Sequence, residues 1–185
     1  VEQRKRNDLE QSTPNLESFL KNLDLKVLIK NANEFTIPRI SQLTLKTNQF
    51  NLTTKRYQES DIKKLSEDGR YLVGCIQVED KFGDNGITGV FIVHKENSKE
   101  WFIDTFLLSC RIMGREVEKG MLGYIVNKAK ENGVEQIKAQ FIPSQKNKPI
   151  EDFLPNYGFQ KDGDYWLYSL KTQFTIPDYL TVRVE

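Results

Sequence analysis

The stretch DTFLLSCRIMGRE, residues 104–116, sets a thiol, two guanidinium groups and a glycine within a few positions of each other. A thiol at the end of a strand, against what reads as a phosphate-binding turn, is a candidate nucleophile. Gly114 lets the backbone approach an anion closely. After it the apolar spacing changes from a period of 2 to 3.6. A helix therefore opens there, and its unpaired amides and positive dipole end attract phosphate. Residues Arg111, Ile112, Met113, Gly114, Arg115 and Glu116 form the candidate anion-binding turn. Glu116 complements the helix dipole but repels a phosphate. Two readings of Cys110 stay open, a nucleophile and a small buried hydrophobe.

Other residues invite chemistry as well. Strand alternation puts Phe102, Asp104, Phe106, Leu108 and Cys110 on one face. An ionisable Asp104 there needs a partner; it either orients or deprotonates a substrate group, or caps a neighbouring loop. Thr47, Asn48, Gln49 and Asn51 form an uncharged polar cluster around Phe50. Amides both donate and accept, which suits a polyol; the same side chains could bond their own backbone in a helix-ending loop. Asn85, in the turn Asp84-Asn85-Gly86, and Lys146 and Asn147, at a helix start, are further candidates for substrate contact. Cys75, in the middle of YLVGCIQV, reads as core. His94 is the only histidine, which excludes a multi-histidine metal site, and no CxxC spacing occurs.

These residues need elements to hold them. Residues 1–13 are charged and aperiodic, and read as a linker or a fraying helix. Leu16, Phe19, Leu20 and Leu23 share a helical face. Strands are expected over 25–30, 70–79, 86–94, 100–110, 134–142 and 165–170, and helices over 36–46, 59–67, after Gly114 and over 147–157. DKFGDNG reads as a hairpin loop, and the tail 171–185 as a source of one edge strand. The order implies an α/β sheet of mixed direction with helices on both faces.

Composition narrows the class. The chain has 185 residues, enough for one domain, with 27 Lys and Arg against 26 Asp and Glu. A net charge of +1 gives no reason to expect a nucleic-acid partner. No apolar run is long enough to span a membrane. The polar start carries no signal-peptide pattern, and a chain opening on Val1 is expected to be a piece of something longer. Two cysteines are too few for a disulfide scaffold, so a reducing cytoplasm is expected.

The turn after Cys110 resembles the R/Q-x-x-G-x-G/A pyrophosphate loop of the GNAT acyltransferase superfamily, with Glu116 where Gly or Ala is usual. Asn147, Phe153 and Tyr157-Gly158-Phe159 loosely resemble the ending of the same fold. The resemblance implies a GNAT-like (acyl-CoA N-acyltransferase) fold, with a mixed, mostly antiparallel central sheet, over residues 25–185 behind a linker and short helix at 1–24. It also implies coenzyme A or the phosphopantetheine of a carrier protein as cofactor, and no metal. The segments ISQLTLKTNQFNLTTKRY, VEDKFGDNGITGVFIV, IDTFLLSCRIMGREVE and FIPSQKNKPIEDFLPNYGF resemble the C-terminal half of FkbH-like proteins, in which a HAD-type phosphatase precedes a GNAT-like domain. No D-x-D-x-T/V phosphatase motif occurs here. That resemblance implies transfer of a glyceryl group, taken from 1,3-bisphosphoglycerate and dephosphorylated, through a protein thiol to the phosphopantetheine thiol of an acyl carrier protein. Cys110 would be the nucleophile, with Asp104 beside it. The partners implied are the carrier protein and the phosphatase domain. A conventional acetyl-CoA-dependent N-acetyltransferase and a non-catalytic docking module are the alternatives.

Overall fold

The computed structural model describes residues 1–185. Its helices are α1 (Glu2–Ser12), α2 (Leu16–Leu23), α3 (Ile37–Lys46), α4 (Glu59–Glu67), α5 (Val117–Glu131) and α6 (Phe153–Asn156). The strands are β1 (Leu25–Asn31), β2 (Phe50–Asn51), β3 (Tyr71–Asp80), β4 (Gly83–His94), β5 (Glu100–Leu108), β6 (Gln136–Ala139), β7 (Gln160–Asp162), β8 (Tyr165–Ser169) and β9 (Leu180–Val184). One sheet runs β7-β8-β6-β5-β4-β3-β1-β9, with β2 attached to β5. Only β5–β6 and β1–β9 are parallel; the other pairs are antiparallel.

Alternation along the central strands explains the helices on both faces. In β3, Ile76 and Val78 join the larger core with α2 and α5, while Val73 and Cys75 join a smaller one with Ile40 and Leu43 of α3 and Ile62 of α4. Between β4 and β5 the register slips: Ile92 faces Thr105, but Val93 faces Ile103. Asp104 is the extra residue of this β-bulge. The bulge reverses the alternation, so Trp101 and Ile103 share the larger core with Phe106 and Leu108. The single face expected for Phe102, Asp104, Phe106, Leu108 and Cys110 therefore does not exist. Phe102 lies outside that core, beneath the ammonium groups of Lys55 and Lys138.

At the same point the sheet divides. The parallel ladder between β5 and β6 ends at Ile103 and Ala139, and β5 continues without β6. Its outer half is paired by β2, Phe50 opposite Leu108 and Asn51 opposite Leu107. The Leu52 amide donates to the Phe106 carbonyl (3.2 Å), and the Ile142 amide donates to the Leu52 carbonyl (2.9 Å). Residues 50–52 are thus a wedge between the diverging strands.

Several expectations are corrected. Of the two readings of residues 1–13 the helix is the one found, but it is anchored: Arg6 of α1, 5% exposed, donates from Nε (2.8 Å) and Nη2 (3.0 Å) to Asp80 at the end of β3. Charged residues without apolar periodicity give no sign of such an anchor in sequence. Asp84-Asn85-Gly86 is not a turn tip; β4 already begins at Gly83, and the register irregularities of β3–β4 absorb these residues. The segment 147–157 is split into a 3₁₀ turn over Lys148–Ile150 and the four-residue α6. The tail does supply an edge strand, β9.

Asp80 also accepts from Arg115 Nη1 (3.2 Å) and the Phe82 amide (2.9 Å). Burial alone would raise this carboxyl; the bonds from Arg6 and the Phe82 amide outweigh it and hold it below the ordinary carboxylate value. Its stabilisation is then present at neutral pH and lost as the pH falls below about 4. Asp80→Asn leaves two buried guanidinium groups without a counter-ion and should cost about 3–5 kcal/mol in denaturant unfolding. The variant should also lose part of the acid-limb dependence seen in the parent.

Candidate active site

β5 ends at Leu108. The Ser109 amide then donates to the Thr88 carbonyl (2.7 Å), and Cys110 opens a 3₁₀ turn that runs to Ile112. Cys110 is therefore not the last inward side chain of the strand, as alternation predicts. It sits past the strand end and is exposed. Its side chain lines two cavities, one on each side of the turn.

The first cavity, about 510 Å³, lies between α3, residues 47–49 and the end of β5. It brings Thr47, Asn48, Gln49 and Lys146 to Cys110, together with Arg39, Lys46 and Ser109. Three cations line it and no carboxylate does. Arg39 is held by its Nε bond to the Ile87 carbonyl (3.3 Å). Burial, and then the nearby Arg111, push Arg39 below its ordinary pKa. An anion in the cavity would relieve that repulsion. Thr47 and Ser109 are each 9% exposed, their hydroxyls take no partner in the chain, and they line the cavity. The Asn48 amide is held from behind: its Oδ1 accepts from Arg56, and its Nδ2 donates to the Lys46 carbonyl (3.3 Å).

The second cavity, about 680 Å³, lies against the 110–115 turn and is walled by α1 through Glu2, Asn7 and Glu10. Asn85 lines it, its Oδ1 accepting from Arg115 (3.3 Å). The turn itself differs from the anion cradle that its sequence suggests. Arg115 is 7% exposed and turned onto Asp80. Ile112 is fully buried core. Glu116 takes a left-handed backbone (φ 58°), and its carboxylate accepts from Lys119 Nζ (2.6 Å) and from the Tyr179 hydroxyl. Two residues on, burial raises the Glu118 carboxyl, which accepts from the Tyr157 hydroxyl (3.3 Å). Arg111, Met113 and Gly114 (φ 80°, with open space beside its Cα) remain available. One free guanidinium and one close backbone approach can meet a single phosphodiester but not a pyrophosphate, and the carboxylates of Glu2, Glu10 and Asp84 share the same lining.

The remaining candidates lie elsewhere. Asp104 lines neither cavity of Cys110. Its carboxylate accepts from Lys55 Nζ (2.5 Å), the Tyr57 hydroxyl (2.6 Å) and Thr105 Oγ1 (2.9 Å). Burial, and then Asp104, raise the Tyr57 phenol, which keeps it a donor to that carboxylate. These three donors hold Asp104, and the bulge takes it off the strand face expected to lead to Cys110. Asn51 and Asn147 are fully buried and hold the wedge. Asn147 Nδ2 donates to the carbonyls of Asn51 (3.0 Å) and Ile142 (2.9 Å). Asn51 Nδ2 donates to the Thr47 carbonyl (3.1 Å), and its Oδ1 accepts from the Thr54 amide (2.9 Å). His94 stacks on Tyr71 with centroids 4.7 Å apart. No group of three His, Cys, Asp or Glu could hold a metal, and no helix is long and apolar enough to cross a membrane.

Sequence reading missed Arg39, Lys46 and Ser109. Arg39, Leu43 and Lys46 follow the i, i+4, i+7 spacing of one helical face, so the basic wall of the cavity could have been found from that spacing. Ser109 was hidden by extending the strand to Cys110.

No family model and no curated protein matches this chain. Solved structures do. The ribosomal-protein-S18-alanine N-acetyltransferase from Escherichia coli aligns at a TM-score of 0.60 and 10% identity, over 80% of this chain and 96% of its own. A putative GNAT-family acetyltransferase from Desulfovibrio desulfuricans aligns at 0.61 and 11% identity, over 78% and 99%. The spermidine N-acetyltransferase from Vibrio cholerae, solved with CoA and spermine, aligns at 0.61 and 10%, over 78% and 96%. The chain therefore has the GNAT acetyltransferase fold.

The two thiols differ sharply. Cys75 is fully buried, and burial pushes its pKa up to about 12. A disulfide-exchange reagent such as Ellman's should label one thiol per folded chain, and Cys110→Ala should abolish that label until denaturant is added. Two thiols labelling at equal rates in the native protein would contradict the assignment.

Proposed function

We propose that this chain is an acyltransferase module in which Cys110 carries a small hydroxyacyl group, of glyceryl type, as a thioester and passes it to the phosphopantetheine thiol of an acyl carrier protein. The observation that carries this reading is the exposed Cys110 thiol in a cavity with three cations, no carboxylate and two unpartnered hydroxyls. That lining suits a phosphorylated hydroxyacyl donor. Arg39, Lys46 and Lys146 bind the phosphate, and Thr47, Gln49 and Ser109 bond the hydroxyl and carbonyl oxygens.

In loading, the Cys110 sulfur gives up its proton to solvent and adds to the acyl carbonyl carbon. The bond from that carbon to the phosphate oxygen breaks, and phosphate leaves with its electron pair. In unloading, an incoming thiolate adds to the thioester carbon, the bond to the Cys110 sulfur breaks, and the cysteine is restored. Arg111 and Gly114 are the groups in reach for the phosphate of a pantetheine carrier, which supplies the accepting thiol. A HAD-type phosphatase partner would remove any second phosphate, and a reducing cytoplasm would keep Cys110 free. The resemblance of four long segments to FkbH-like proteins supports this assignment.

The second reading is an acetyl-CoA-dependent N-acetyltransferase. It is favoured by the fold itself, which the Vibrio cholerae enzyme uses with CoA, and it needs no cysteine. Intact-mass measurement separates the two. Incubated with a glyceryl-type acyl phosphate, the protein should gain one acyl mass, Cys110→Ala should gain none, and a carrier protein should discharge the adduct. An undiminished adduct on Cys110→Ala, or acetylation of an amine from acetyl-CoA with Cys110 dispensable, would decide for the second reading.

A further inference from the structure

Where two neighbouring strands part, each presents a row of unpaired amides and carbonyls, and an extended chain can bind there by completing the ladder. β5 and β6 part after Ile103 and Ala139. The parting strands of this GNAT fold would offer such a groove to an extended arm such as pantetheine.

The chain fills that groove itself. Residues Phe50–Thr53 run along β5 with paired backbones at Leu107 and Leu108. The Leu52 amide bonds the Phe106 carbonyl, and Thr53 Oγ1 donates to the Asp104 carbonyl (2.8 Å). On the other side the Ile142 amide bonds Leu52, and Asn147 clamps Asn51 to Ile142 with one side-chain amide. The four residues are between 0% and 6% exposed. Phe50 and Leu52 also belong to the main core, where Phe50 packs edge-on against Phe153 (5.4 Å). Withdrawal of the segment would expose two large apolar side chains and break the ladder, so a ligand would have to compensate both.

We infer that Phe50–Thr53 is a permanent filler of the gap between β5 and β6, and that a thiol-bearing arm reaches Cys110 across the cavity beside the 110–115 turn instead of between the strands. The filler is a specificity element. It keeps the outer edge of β5 satisfied without any ligand, and it leaves the face of Cys110 that looks onto Arg111, Met113 and Gly114 as the approach for an acceptor. The second half of this inference rests on the acyl-transfer reading; the first half stands without it.

Amide hydrogen exchange on the whole chain tests it, with CoA as the probe. The Leu52 and Ile142 amides should be protected in the free protein to the same degree as the centres of β4 and β5, and saturating CoA should change neither rate by more than about twofold. Absence of CoA binding leaves those rates unchanged and agrees with a closed gap. Asn147→Ala removes two clamp bonds and should speed exchange at both amides by about tenfold or more. That is the scale of roughly one hydrogen bond, with β4 unaffected. Unprotected Leu52 and Ile142 in the free protein, or protection lost when CoA binds, would overturn the inference even if Cys110 is acylated. Intact protection with no acylation would instead remove only the acyl-transfer reading. If Asn147→Ala fails to fold, the two measurements on the parent protein still decide.

Discussion

A parallel pair of strands that separates inside a sheet leaves backbone groups that must find partners or face solvent. In this chain the separation of β5 and β6 is resolved internally, by Phe50–Thr53 and the buried amides of Asn51 and Asn147. Much of the site follows from that solution. The wedge fixes residues 47–49 at the mouth of the cavity, since Asn51 Nδ2 bonds the Thr47 carbonyl. It lies against the last residues of β5, so the turn carrying Cys110 leaves the sheet from a fully paired edge. The bulge at Asp104 marks the place where the ladder divides, and it turns that carboxylate toward Lys55 and Tyr57.

Charge is partitioned around the thiol. On one side Arg39, Lys46 and Lys146 meet no carboxylate. On the other, the cavity is lined by Glu2, Glu10 and Asp84 beside Arg111, and the guanidinium groups of Arg6 and Arg115 are taken up by Asp80. Positive charge without a carboxylate is thus concentrated in the first cavity alone. The two cavities share one lining residue, Cys110.

Much of the fold was legible in the sequence because its signals are local. The period change at Gly114, the alternation in β1, β3 and β4, and the apolar face of α3 each depend on neighbours in the chain. The wedge was not legible. β2 is two residues long, and its partners, Leu107 and Leu108, are distant in sequence, as are Phe106 and Ile142, which bond Leu52. The polar cluster at 47–51 was noticed, yet its members divide between the cavity (Thr47, Asn48, Gln49) and the fold (Asn51). Nothing in residue type separates an amide that bonds backbone from one that meets a ligand. The bulge defeated the alternation argument for Asp104, because one extra residue moves every later side chain to the other face. Arg115 reads as a phosphate ligand from its place in the turn, and only the distant Asp80 shows otherwise.

The Cys110 thiol opens into a positively charged cavity. The ratio of its alkylation rates with iodoacetate, an anion, and iodoacetamide, a neutral reagent of similar size, reads that charge. Relative to a free small thiol, the ratio should be raised in favour of iodoacetate, should fall as salt screens the cations, and should drop below the free-thiol value in a Lys46→Glu, Lys146→Glu double variant. A ratio equal to that of the free thiol, insensitive to salt and to both substitutions, would contradict the account.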